Sequence, residues 1–193
     1  MFQIRIHGRG GQGVVTAAEM LSLAAFMEGH HAQAFPSFGS ERTGAPVMAF
    51  ARIDDREIRL REPIMEPDAV LVQDRSLLHQ VDVFQGLRAD GYVVINSSHS
   101  MAELGLEDLA ARLPRGRVLL LPATQFAMKF IGRPLPGAAL LAAFAAASEV
   151  ISLASVVAAY RERFSGKIAQ ANADVAQAAY DFVKKEIEEA SHA

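Results

Sequence analysis

The stretch FQIRIHGRGGQGVVTAAEML near the amino terminus limits the fold more than any other part of this chain. Phe2, Ile4 and Ile6 alternate with Gln3, Arg5 and His7, the period of two of a half-buried strand. From Gly13 onward, Val14, Ala17, Ala18, Leu21, Ala24 and Ala25 fall at helical spacing, and Gly29 ends the run. Between strand and helix lie Gly8, Gly10 and Gly13 in the pattern G-x-G-x-x-G. A strand that turns through glycines straight into a helix opens a βαβ unit, which commits the chain to a parallel sheet covered by helices.

The remaining sequence continues that plan. HAQAF (31–35) reads as a second strand, followed by the loop PSFGSERTGAP. Residues 47–53 and 57–60 flank DDR and read as a β-hairpin. PDAVLVQD (67–74), DGYVVINSS (90–98) and GRVLLLPAT (116–124) are continuous apolar runs, as expected of parallel strands buried on both faces. Residues 76–87 read as a helix between the first two, and residues 107–113 as a short helix before the third. Beyond this third run the chain turns helical: Pro134 and Pro136 introduce an Ala-rich helix, Ser152 a second, and Ile168, Ala171, Val175, Ala178 and Phe182 line one face of a third. The expected fold is α/β: a three-layer sandwich with a mostly parallel, Rossmann-like sheet, a β-hairpin insertion and a helical C-terminal third. Residues 1–193 are expected to form one domain, with 1–133 the sheet part and 134–193 the helical part.

The glycine pattern has a specific use. Gly8 would permit the tight turn, Gly10 would let the backbone approach an anion, and Gly13 would let helix and strand pack closely. Free N–H groups at the helix start would face the ligand, with the helix dipole behind them and Arg9 adding a full charge. A glycine turn that only packs strand against helix has the same sequence. NAD is disfavoured, because a dinucleotide fold places a carboxylate at the end of its second strand. HAQAF has none, and Glu41 lies beyond it in the loop.

Other patterns lead nowhere catalytic. Tyr180 and Lys184 match Y-x-x-x-K, the acid–base pair of short-chain dehydrogenases, but amphipathic helix spacing explains them and little chain follows. None of His7, His30, His31, His79, His99 and His192 has metal-ligand spacing. His99 stands out, because NSSH follows a parallel strand. The net charge of −3 gives no basic face for nucleic acid. With no cysteine, the chain cannot supply disulfides or the thiolate ligands of iron–sulfur clusters. The apolar stretch 137–160 is alanine-rich and carries Glu149 at its centre, which fits two soluble helices better than a membrane span. The start reads as a strand rather than a signal peptide, so the expected location is the cytoplasm.

Taken in order, GRGGQGVVTAAEML, PSFGSERTGAPVMAFARI, PDAVLVQD and LASVVAAYRERFSGK resemble the gamma component of 2-oxoacid:acceptor oxidoreductases over nearly the whole chain. G-x-G-G-Q-G together with G-(S/E)-x-R-x-G-x-(P/V) is far more specific than either half. The resemblance implies a complex that decarboxylates a 2-oxoacid on thiamine diphosphate, passes electrons to iron–sulfur clusters and forms an acyl-CoA. It implies that thiamine diphosphate, Mg and 4Fe-4S clusters sit on partner subunits, and that this chain is inactive alone. Its implied share is assembly and help in holding coenzyme A. The candidate binding residues are Gly8, Arg9, Gly10, Gly11, Gln12 and Gly13, with Arg42, Thr43 and Gly44 on the same rim. The alternative is a stand-alone nucleotide-binding or regulatory module.

Overall fold

The computed structural model describes residues 1–37 and 43–192. Strands β1 (Phe2–Arg9), β2 (His31–Pro36), β3 (Pro46–Asp54), β4 (Ala69–Val72), β5 (Tyr92–Asn96) and β6 (Val118–Leu121) form one sheet. Their order is β2-β3-β1-β4-β5-β6. Pairs β1–β4, β4–β5 and β5–β6 are parallel, whereas β3 runs antiparallel to both β1 and β2. The hairpin insertion is therefore β2–β3. The expected pairing of 47–53 with 57–60 does not occur, because β3 already has a strand on each edge.

Alternation along β4 and β5 separates two cores. Leu71 and Val94 point to one face, beside Ile4, Ile6, Leu121 and Phe144. Val70, Val72, Val93 and Ile95 point to the other, beside Leu77, Val83, Leu104 and Leu109. The first face is covered by α1 (Val14–Met27), α4 (Gly137–Ser148), α5 (Leu153–Arg163) and α6 (Gly166–His192). The second carries α2 (Glu107–Arg112) and a 3-10 turn at Arg75–His79. Helix α3 (Ala123–Phe130), which the sequence did not mark as a separate helix, follows β6 directly.

Two further expectations are corrected, and a third holds. Residues 76–87 do not form an α-helix. The Arg5 guanidinium takes the carbonyls of Val83 and Gln85 at 3.0 and 2.6 Å, so these are spent on a side chain and not on a helical ladder. On α6 the expected Val175 is buried, but the rest of the buried face, Ala169, Ala173, Ala176, Ala179 and Val183, does not coincide with the expected stripe, and Ile168 is exposed. The apolar stretch after Pro136 is two helices, as expected, broken at Glu149 (φ 56°) and restarted at Ser152, whose Oγ accepts from Ser155 N at 3.1 Å. Ala138 to Ala146 of α4 are almost fully buried, because α1, α5, α6 and the sheet surround that helix. Among the described residues no helix is long and apolar enough to cross a membrane.

Candidate functional site

Strand β1 continues through Gly8 and Arg9, which pair with Val47 and Pro46. The glycine roles differ from expectation. Gly8 is the packing glycine: a Cβ there would lie 2.5 Å from Val14 Cγ2. Gly11 and Gly13 make the turn, with φ of 91° and 75°, in the left-handed region that glycine adopts without a Cβ clash. Gly10 does not offer its N–H outward. It donates to Ala45 O at 2.9 Å and accepts from Gly44 N at 3.1 Å, forming a bridge with Thr43. Gln12 N donates to Arg9 O at 3.0 Å. Among the described residues, the N–H groups of Gly11, Gly13 and Val14 keep no acceptor.

Arg9 is also committed within the protein. Its guanidinium donates to Gly44 O at 3.0 Å, Ser76 Oγ at 2.7 Å and Gln80 Oε1 at 3.0 Å, and Nε lies 3.3 Å from Asp74. Gln12 spans the turn: Oε1 accepts from Arg9 N at 2.8 Å, and Nε2 donates to Asp74 at 2.8 Å. Asp74 accepts as well from the Ser76 N–H and hydroxyl at 3.0 and 2.6 Å. Burial would raise the Asp74 carboxyl, but the hydrogen bonds from Ser76 and Gln12 and the Arg9 charge hold it below the usual carboxylate range. Arg9, Gln12 and Asp74 thus brace the turn and fasten it to Thr43 and Gly44. Arg42 and Glu41 lie outside the described residues.

The turn floors a crevice of about 570 Å³ at the carboxyl ends of β4, β5 and β6, lined also by Gln73, Asn96, Thr124, Arg75 and Arg133. It opens beside β1, where the chain has left one side of the sheet for the other, the usual ligand position in open α/β sheets. Asn96 Nδ2 donates to Gln73 O and to Thr124 Oγ1 at 2.8 and 2.7 Å, and Thr124 N donates to Asn96 Oδ1 at 3.1 Å. Gln73 is 1% exposed, and neither atom of its side-chain amide has a partner among the described residues. Arg75 and Arg133 are exposed. An apolar cavity of about 610 Å³ adjoins the crevice across Gly10, Gly11 and Gln12 and is walled by Val15, Tyr160, Phe164 and Ile168.

N–H groups, an orphaned amide and two cations can hold an anionic ligand that carries amides. Among the described residues no group of three or more His, Asp or Glu could hold a metal. Sequence reasoning missed Gln73, Asp74, Arg75, Asn96, Thr124 and Arg133. The one available signal was position, since most of them follow the ends of parallel strands. His99 lines a different cavity, against α6. Lys184 lies 5.5 Å from the Tyr180 ring centre and 3.7 Å from Glu149, one turn along the same helix face as Tyr180. The insertion of β3 beside β1 also leaves β2 two strand spacings, about 10 Å, from the turn. A carboxylate ending β2 could not reach a ribose there.

A family signature described as pyruvate ferredoxin/flavodoxin oxidoreductase matches residues 3–182. The common gamma subunit of pyruvate/ketoisovalerate oxidoreductases from Thermococcus kodakarensis is 48% identical over 94% of this chain and 96% of its own. The pyruvate synthase subunit PorC of Methanocaldococcus jannaschii is 46% identical over 96% and 98%. The crystal structure of the pyruvate oxidoreductase subunit PORC from Thermotoga maritima superposes with a TM-score of 0.78 at 30% identity, covering 93% of this chain and 95% of that one. With the glycine turn, residues 43–45 paired to it and nearly the full length accounted for, the chain belongs to the pyruvate ferredoxin/flavodoxin oxidoreductase family, among its gamma-type members.

Proposed function

We propose that this chain is the gamma subunit of a multi-subunit 2-oxoacid oxidoreductase that forms an acyl-CoA, and that it helps to assemble the complex and to hold coenzyme A. Thiamine diphosphate, Mg and the 4Fe-4S clusters belong to partner subunits in this reading. A chain without cysteine cannot supply the thiolates of a cluster. The relatives named for a common gamma subunit and for PorC support the subunit role. The same reading takes 1–193 as one domain, since Ile4 and Leu71 of the sheet share a core with Phe144 and Val183 of the helical part.

The observation that carries the coenzyme A role is the crevice where the sheet reverses, with an unspent N–H on Gly11, an orphaned amide on Gln73, and the unspent Gly13 N–H in the adjoining cavity. A diphosphate suits the N–H groups and the nearby Arg75 and Arg133, and the amides of the pantetheine arm suit Gln73. Arg9 positions the turn, since its donors are already spent. Thr43 and Gly44 hold the rim, and Arg42 is assigned there from the sequence motif alone.

The test is Gly11→Asp against Gly11→Asn in the assembled complex. The two share backbone strain at φ 91°, so their difference isolates the charge. Gly11→Asp should raise the apparent KM for coenzyme A about tenfold over Gly11→Asn, which corresponds to roughly 1.4 kcal/mol. Decarboxylation without coenzyme A should be unchanged in both. Equal KM values in correctly assembled complexes would remove the coenzyme A role and leave a packing turn.

A further inference from the structure

A further cavity lies on the face of the sheet opposite α1, away from the glycine turn. It encloses about 400 Å³, within the ordinary range for small-molecule pockets. Arg5, His7, Met48 and Phe50 form its floor, and Ile64 and Leu77 belong to its wall. Most of the lining is apolar, with a few polar groups at the base.

Two of those polar groups, Arg5 and His7, are short of partners. Arg5 is 5% exposed and donates only to backbone carbonyls: Ile64 at 3.4 Å, Val83 at 3.0 Å and Gln85 at 2.6 Å. Among the described residues no carboxylate oxygen lies within 4.0 Å of it; Asp82 acts on it only from further off. Its Nε has no hydrogen-bond acceptor. His7, 7% exposed, leaves Nε2 unpartnered in the same way. The two residues stand two apart on β1, so both side chains rise from the same face. Burial, reinforced by the Arg5 charge, pushes the His7 imidazole down to about 4, so the ring is neutral near pH 7 and keeps a single N–H to donate. Among the described residues, Arg5 is thus a buried cation in hydrogen-bond contact with neutral groups alone; Asp82 lines the same cavity but stays out of contact, so an anion can still be taken up beside the idle His7 donor.

We propose that this cavity is a ligand site for a small monocarboxylate with a short apolar body. One carboxylate oxygen meets Arg5 Nε and the other His7 Nε2–H, while the body packs on Phe50, Met48, Ile64 and Leu77. A doubly charged inorganic anion fits less well, because most of the lining is apolar and Asp82, which also lines the cavity, opposes a second negative charge.

The full chain can be titrated calorimetrically with 3-methylbutanoate, its neutral amide and inorganic phosphate. The carboxylate should bind tighter than about 1 mM. The amide and phosphate should bind at least tenfold more weakly, and the His7 imidazole resonance should move only with the carboxylate. Val81 lies on the rim and is 39% exposed, so Val81→Trp can plug the mouth without entering the core. It should abolish binding while the melting temperature holds. Arg5→Gln should weaken binding at least tenfold, and Val81→Trp decides the matter if that variant does not fold. Equal affinity for acid and amide, binding unchanged in Val81→Trp, or no binding by the folded wild-type chain would each overturn the proposal. So would a Val81→Trp chain that fails to join its partner subunits while the wild type binds no carboxylate, since the cavity would then receive a protein side chain.

Discussion

The two halves of the sheet bury different chemistry. On the parallel half, β4, β5 and β6 show both cores almost nothing but Val, Leu, Ile and Ala. On the antiparallel half, β1 and β3 bury Arg5, His7 and Arg52 on the face away from α1. Neither arginine there has a carboxylate partner among the described residues. The parallel half supplies transfer free energy and a rigid platform, at whose carboxyl ends the crevice opens. The antiparallel half holds charges by neutral carbonyls and amides, which fix geometry more than they stabilise. The contrast predicts that truncation should be costly on one half and that removal of charge should be mild on the other.

The largest effect is expected at Leu71, fully buried in the middle of β4. Leu71→Ala removes apolar volume from a site that strands hold on both sides, and should cost about 2–5 kcal/mol in urea denaturation. A loss below about 1 kcal/mol would mean that the parallel half can collapse around a void, and the contrast would fail.

His7 should give an acid limb of intermediate size. Its imidazole titrates at about 4 when folded, against an ordinary value of 6.5. Between those values the unfolded chain carries a proton that the folded chain refuses, so stability is full above pH 6.5 and declines toward pH 4. Carboxylates held down by hydrogen bonds, Asp74 among them, stay ionised across that window. The loss should reach the order of 2–3 kcal/mol at its lower end. His7→Gln should flatten the profile between pH 6.5 and pH 4.5. An unchanged slope would place the proton uptake elsewhere.

The same division explains what was legible in the sequence. AVLV and VLLL are apolar on every residue, and YVVIN on every residue but its last, Asn96, so strands buried on both faces could be read directly. The glycine turn was legible because conformation dictates composition there. Its chemistry was not. Nothing in GRGGQG says that Gly10 spends its N–H on Ala45, or that Asp74, more than 60 residues away, occupies Arg9. The misread helix at 76–87 has the same origin, since its carbonyls are claimed by Arg5, about 80 residues earlier in the chain. The α6 stripe differs from the expected one because alanines occur on several sides of that helix and give the periodicity little contrast. Ile168 looked like core and instead walls the apolar cavity beside the turn.

The smallest effect, and the sharpest test of the contrast, is expected at Arg52. It is 2% exposed and donates to Gln3 Oε1 at 3.1 Å, Gln33 Oε1 at 3.3 Å and Glu62 O at 2.5 Å, with the Phe35 ring centre 5.3 Å away. Every acceptor is neutral, and Gln3, Gln33 and Glu62 all retain some exposure, so water can replace the guanidinium at each. Arg52→Met keeps the length of the side chain and removes a desolvated charge. It should leave stability within about 1 kcal/mol of the wild type, on either side of zero. Arg52→Ala, measured beside it, removes the volume too and should be less stable than Arg52→Met by about 2–3 kcal/mol. If Arg52→Met costs more than about 3 kcal/mol, the cation is worth as much to the antiparallel half as leucine is to the parallel half. Buried charge would then be structural throughout β1 and β3, and the orphaned donors of Arg5 and His7 would need no ligand to account for them.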